Sequence, residues 1–91
     1  MEKPNVEILE SILKEGLYWA YLGRPNEVMP FLRGKFLQMS KEDPEVVEDI
    51  LRELEAFYQE VSKLDSIGKR EIRKLRIYRD LLVNALWGVV R

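Results

Sequence analysis

The residue types that carry most enzyme chemistry are missing from this chain or stand unassembled in it. There is no histidine and no cysteine, which removes the commonest general base, the commonest transition-metal ligand and every thiolate site. Ser11, Ser40, Ser62 and Ser66 are the only hydroxyls besides tyrosine, and none has a histidine to activate it. Carboxylates are plentiful, yet Glu48/Arg52 and Glu60/Lys63 read as surface pairs at helical spacing. EF-hand and P-loop patterns are absent. A carboxylate-bridged di-iron bundle would need Glu-x-x-His motifs. These residues predict a protein that is not an enzyme and uses no cofactor, no metal and no evident small-molecule substrate.

The chemistry that is present is charge. Residues 42–60 hold eight acids (Glu42, Asp43, Glu45, Glu48, Asp49, Glu53, Glu55, Glu60) against one base, Arg52. Residues 69–79 hold six bases (Lys69, Arg70, Arg73, Lys74, Arg76, Arg79) against one acid, Glu71. An apolar block follows, in which Asn84 is the one clearly polar residue between Leu81 and Val90. If a short turn near residue 66 makes the two charged segments antiparallel neighbours, Glu60 comes near Ile72–Arg73, Glu55 near Arg76 and Glu53 near Arg79. The two rods then neutralise each other and set the pairing register.

The neutralisation is incomplete by construction. Lys69–Arg73 and Arg70–Lys74 are like-charge pairs one turn apart, and only Arg76–Asp80 is favourable at that spacing. Bases that spread around most of a helix cannot all face one neighbour, so some are left to solvent, where phosphates could meet them. Nucleic acid is therefore the alternative partner, through Lys69, Arg70, Arg73, Lys74, Arg76 and Arg79. A helix-turn-helix built from Phe31–Met39 and Pro44–Phe57 is disfavoured, because its recognition helix would be the most acidic part of the chain.

Four helices must position these charges. A first helix over about 4–22 follows from Pro4 at a first-turn position and from Val6, Leu9, Leu13 and Leu17 at helical spacing. Gly23 and Pro25 end it. A second is expected over 30–39, with Pro30 in its first turn and 26–29 as a preceding turn; Gly34 weakens it. A third over 44–63 has Asp43 as cap, Pro44 at the first position and an apolar stripe from Val47 to Val61. A fourth runs over 66–90. Gly16, Trp19, Gly23, Val28 and Leu32 fall at spacings that resemble the small, aromatic and apolar positions of a tetratricopeptide repeat. Glu15 stands where that motif wants an apolar residue and Pro30 lies inside its second helix, so the segment reads as a generic helical hairpin.

The 91 residues make one domain, 1–91, an all-α compact four-helix bundle, up-down with short connections. Net charge is −1, so no global field recruits nucleic acid or a membrane. Met1–Asn5 lacks the apolar core of a leader, and Leu81–Val90 is too short to span a bilayer, which predicts a cytoplasmic protein. Few Asn and Gln, no Cys and abundant Glu, Lys and Arg give it a thermophile-like composition. The last helix is apolar on nearly every side at its end, so it is either the enclosed central helix or it meets another chain. The expected function is a non-catalytic protein-interaction or assembly module. It would form a homodimer, or bind another protein, through Leu81, Val83, Trp87 and Val90, with Trp19 and Tyr21 as the other interface candidates.

Overall fold

The chain folds into α1 (Val6–Tyr21), α2 (Pro25–Met39), α3 (Pro44–Val61) and α4 (Lys69–Trp87), with no strand among the described residues. The computed structural model describes residues 6–39 and 44–87, without the side chains of Met39 and Trp87. Asp43 as a cap, and Val90 and Trp87 as interface residues, therefore lie outside what is described.

Local chemistry sets each boundary. Gly23 adopts the left-handed conformation, φ 89°, after α1. Its N–H donates to Ala20 O at 2.9 Å and the Arg24 N–H to Trp19 O at 3.0 Å, the paired bonds of a Schellman end. Pro25 then opens α2, where its missing N–H costs nothing. The turn expected over 26–29 is helix instead, and Pro30 lies inside α2 rather than in its first turn. The penalty of Pro30 is tolerated because Val28, Met29, Leu32 and Phe36 are all buried on the inner side. α4 begins at Lys69, not Ser66, because Glu71 reaches back to accept the Gly68 N–H at 2.7 Å, half of a capping box.

Side-chain contacts fix the helix directions. Arg33 of α2 meets Glu48 and Glu55, and Gln59 donates to Asn26 at 2.8 Å, so α2 and α3 run antiparallel. Glu60 and Lys74 approach to 3.9 Å while the Tyr78 hydroxyl donates to Glu53 O, so α3 and α4 do the same. Glu10 lies beside Arg76 and Arg79, and the Tyr21 hydroxyl donates to Asp65 O at 2.6 Å, which makes α4 antiparallel to α1 as well. The result is an up-down four-helix bundle. α1 and α3 touch across the middle, and α2 and α4 lie on opposite flanks.

The centre is the α1–α3 contact. Leu9, Leu13, Leu17 and Ala20 meet Val47, Leu51, Leu54, Phe57, Tyr58 and Val61. Gly16 permits the close approach: a Cβ there would lie 2.8 Å from the Tyr58 hydroxyl and 3.1 Å from Val28. That hydroxyl donates to Leu13 O at 2.8 Å, so its polar end is satisfied although fully enclosed. Burial pushes the Tyr58 phenol far above its ordinary range.

Candidate interaction surface

α4 is a side helix, not the enclosed centre that its apolar end suggested. It buries Leu75, Tyr78, Leu82 and Val83 against α1 and α3 and turns its other side outward. Ile77 is 56% exposed and Leu81, one turn on, 41%. Val83 is only 7% exposed, so it belongs to the core and cannot present an interface. The reason is periodicity: Val83 is eight residues from Leu75, about two turns, on the buried side. Tyr21 is half-buried and spends its hydroxyl on the Asp65 carbonyl, an exposed bond within the chain. Trp19 is exposed, with the Arg24 guanidinium 5.5 Å from its ring centroid.

The six bases of α4 divide into two sets. Lys74 meets Glu60 and stands 5.3 Å from the Phe57 ring centroid. Arg76 and Arg79 meet Glu10 of α1, and Arg79 also bonds Asp80 at 2.9 Å. Lys69, Arg70 and Arg73 are exposed and have no ion pair or hydrogen-bonded side-chain partner among the described residues. The register expected between α3 and α4 is close to that observed, but the charge partners differ. Glu55 and Glu48 turn to Arg33 of α2, so Glu55 is not with Arg76, nor Glu48 with Arg52. Arg52 pairs with Asp49 at 3.5 Å, and Arg76 and Arg79 are drawn to α1.

Glu10 is the hub of the α1–α4 seam. Burial works to raise its carboxyl, but the Arg79 hydrogen bond and the charges of Arg76, Arg79 and Lys14 outweigh it and hold the group below the ordinary carboxylate range. Arg79 is held above its usual value: burial works to lower it, and its bonds to Asp80 and Glu10 prevail.

The outer side of α1 carries Ile8, Glu15, Tyr18, Trp19 and Leu22, all exposed; Leu22 is exposed at 71%. Between α1 and α2 this side opens into a groove of about 400 Å³. Gly16, Val28 and Leu32 form its floor, Trp19 and Phe31 its walls, and Glu15, Glu27 and Lys35 its rim. Glu10, Ile77, Leu22 and Phe31 were not among the surface or site residues expected from the sequence. Ile77 had a usable signal, being four residues before Leu81 on a helix whose inner side is already filled by Leu75, Tyr78 and Leu82. Glu10 had none, because an isolated acid on an amphipathic helix looks like any solvated residue.

Among the described residues no group of acidic side chains is arranged to hold a metal ion, no Asp, Glu, Lys or Arg side chain is fully buried, and no helix is long and apolar enough to cross a membrane. Comparison with protein-family models, with curated proteins and with solved structures finds no match of any of the three kinds.

Proposed function

We propose that this protein is a non-catalytic helical module that acts by associating with a second copy of itself. The observation that carries the reading is the exposure of large apolar side chains along two adjacent helices, Ile8 and Trp19 on α1 with Leu22 just past its end, and Ile77 with Leu81 on α4. Apolar area of this kind, flanked by unneutralised charge, has the make-up of an interface with an apolar centre and a polar rim. Leu81 stays in the interface proposed from the last helix, and Ile77 takes the place of Val83. Sedimentation equilibrium from about 1 µM to about 1 mM covers weak to moderate association. A monomer–dimer equilibrium is expected, and Ile77→Lys with Leu81→Lys should abolish it without loss of helicity. A protein that stays monomeric throughout would refute the reading.

A second reading rests on Lys69, Arg70 and Arg73, three exposed cations without partners among the described residues. It makes the protein a nucleic-acid-associated one that contacts phosphates through the first turns of α4. Fluorescence anisotropy with a generic duplex should then show affinity falling by orders of magnitude between about 50 and about 200 mM salt. Absence of binding at the lower salt removes it.

A further inference from the structure

We infer that the second copy docks by a two-fold axis parallel to the bundle, laying the outer side of α1 on the outer side of α4 of its partner, with Glu15 against Arg73 in both directions. The inference rests on the self-association proposed above and specifies its geometry.

Contacts between α1 and the α4 side fix their relative heights along the bundle. Glu10 is level with Arg76 and Arg79, and Tyr21 is level with Asp65, as their contacts show. Both helices rise about 1.5 Å per residue, so Glu15 comes level with the turn around Ile72, and Ile8 with the turn between Ile77 and Leu81. A rotation about an axis parallel to the helices preserves height. It brings Glu15 of one copy opposite Arg73 of the other, and the exposed Ile8 opposite the exposed Ile77 and Leu81.

Lateral order agrees with height. With 3.6 residues per turn, the outer side of α1 runs from Trp19 and Ile8 at the α2 edge, through Glu15, to Tyr18 at the α4 edge. The outer side of α4 runs from Arg76 and Lys69 at the α1 edge, through Arg73, to Ile77, Arg70 and Leu81 at the far edge. The two-fold reverses one order against the other. Trp19 and Ile8 therefore meet the edge with Ile77, Arg70 and Leu81, and the two charges in the middle, Glu15 and Arg73, meet each other.

Charge disfavours the perpendicular pairings that centre on these residues. An axis perpendicular to the helices at the height of Glu15 would set α1 on α1 with Glu15 near its own copy, and one at the height of Lys69–Arg73 would set α4 on α4 with those bases facing each other. Like charges facing across an interface suppress such pairings. Glu15 and Arg73 also lack partners within the described fold, so the parallel arrangement neutralises these two charges. The interface is isologous, and each contact occurs twice.

Doubling of the contact gives the test a distinctive form. Glu15→Arg alone and Arg73→Glu alone each set like charges together twice, so each variant should dimerise at least tenfold more weakly by sedimentation. Mixed one to one, the two variants restore both contacts and should form a heterodimer about as tight as the native dimer. Circular dichroism checks that both remain helical. Native-like dimers from both single variants would overturn this geometry while leaving self-association standing. A native protein that is monomeric throughout would overturn both. If that monomer bound duplex and Arg73→Glu abolished the binding, the bases would belong to nucleic acid and the inference would fall.

Discussion

Two glycines on adjacent helices separate a packing role from a merely permissive one. Gly16 lies where a methyl group would meet the Tyr58 hydroxyl and Val28, and the hydroxyl cannot retreat without losing Leu13 O. Gly34 has nothing within 4 Å of its missing Cβ. Gly16→Ala should therefore destabilise, because overpacking of about 1–3 kcal/mol exceeds the gain in helix propensity of about 1 kcal/mol. Gly34→Ala should stabilise by about 0.5–1 kcal/mol. Urea unfolding of both reads the sign directly, and equal effects would show that Gly16 is not a contact residue. Glu10 makes a pH prediction at the same scale. Its carboxyl is depressed in the folded state, so its contribution is present above the unfolded carboxylate value and is lost as pH falls through the folded one. The thermal midpoint of the native protein should drop more steeply below about pH 4.5 than that of Glu10→Gln. Parallel curves would mean that Arg76 and Arg79 gain nothing from Glu10.

Helix chemistry explains why some boundaries were legible in the sequence and others were not. The end of α1 and the start of α3 follow from Gly23, Pro25 and Pro44, whose backbone preferences act locally and need no knowledge of neighbours. The amphipathic stripe of α3, Val47 to Val61, was equally plain, and every apolar position in it that repeats at three or four is buried. α2 was misread because Pro30 is a strong local signal overruled by tertiary packing. Val28 and Met29 must sit on the helix to reach the core, and burial of two large side chains, roughly 1.5–3 kcal/mol each, offsets a proline penalty of about 3 kcal/mol. The candidate surface was legible as far as Leu81, Trp19 and the bases of α4. Ile77 and the exposed Ile8 and Leu22 were not legible as surface because exposure depends on which neighbour a face meets, and one sequence does not say that. The local conflict leaves a testable residue of strain. Pro30 is exposed, so Pro30→Ala restores a backbone donor without disturbing the core. It should stabilise the protein by about 1–3 kcal/mol, seen as a higher denaturant midpoint. An unchanged midpoint would show that α2 is bent around Pro30 in a way that alanine cannot relax.

At the scale of the molecule, the bundle is a central pair with two flanks. α1 and α3 share the diagonal contact and the Tyr58–Leu13 bond, whereas α2 and α4 each lean on both and hardly touch one another. The flanks also carry the local conflicts: Pro30 and Gly34 in α2, and the like-charge pairs Lys69–Arg73 and Arg70–Lys74 in α4. Cations in the first turn of α4 face the positive end of its own helix dipole, which weakens that turn further. The ion pairs that tie α4 down converge on Glu10 and Glu60, toward its middle, and leave its first turn to the Glu71 cap. Opening should therefore be graded. Native-state hydrogen exchange should be slowest at the amides of Leu13–Leu17 and Leu51–Tyr58, faster through α2, and fastest at Arg73–Lys74. Raising salt should slow exchange at Arg73–Lys74, because it screens repulsion among the bases more than it weakens the few pairs that hold them. The proposed dimer sharpens the expectation: if Arg73 is covered by Glu15 of a second copy, protection of that turn rises with protein concentration while α3 stays constant. Uniform protection across all four helices, at every salt and concentration, would contradict both the graded bundle and the covered α4.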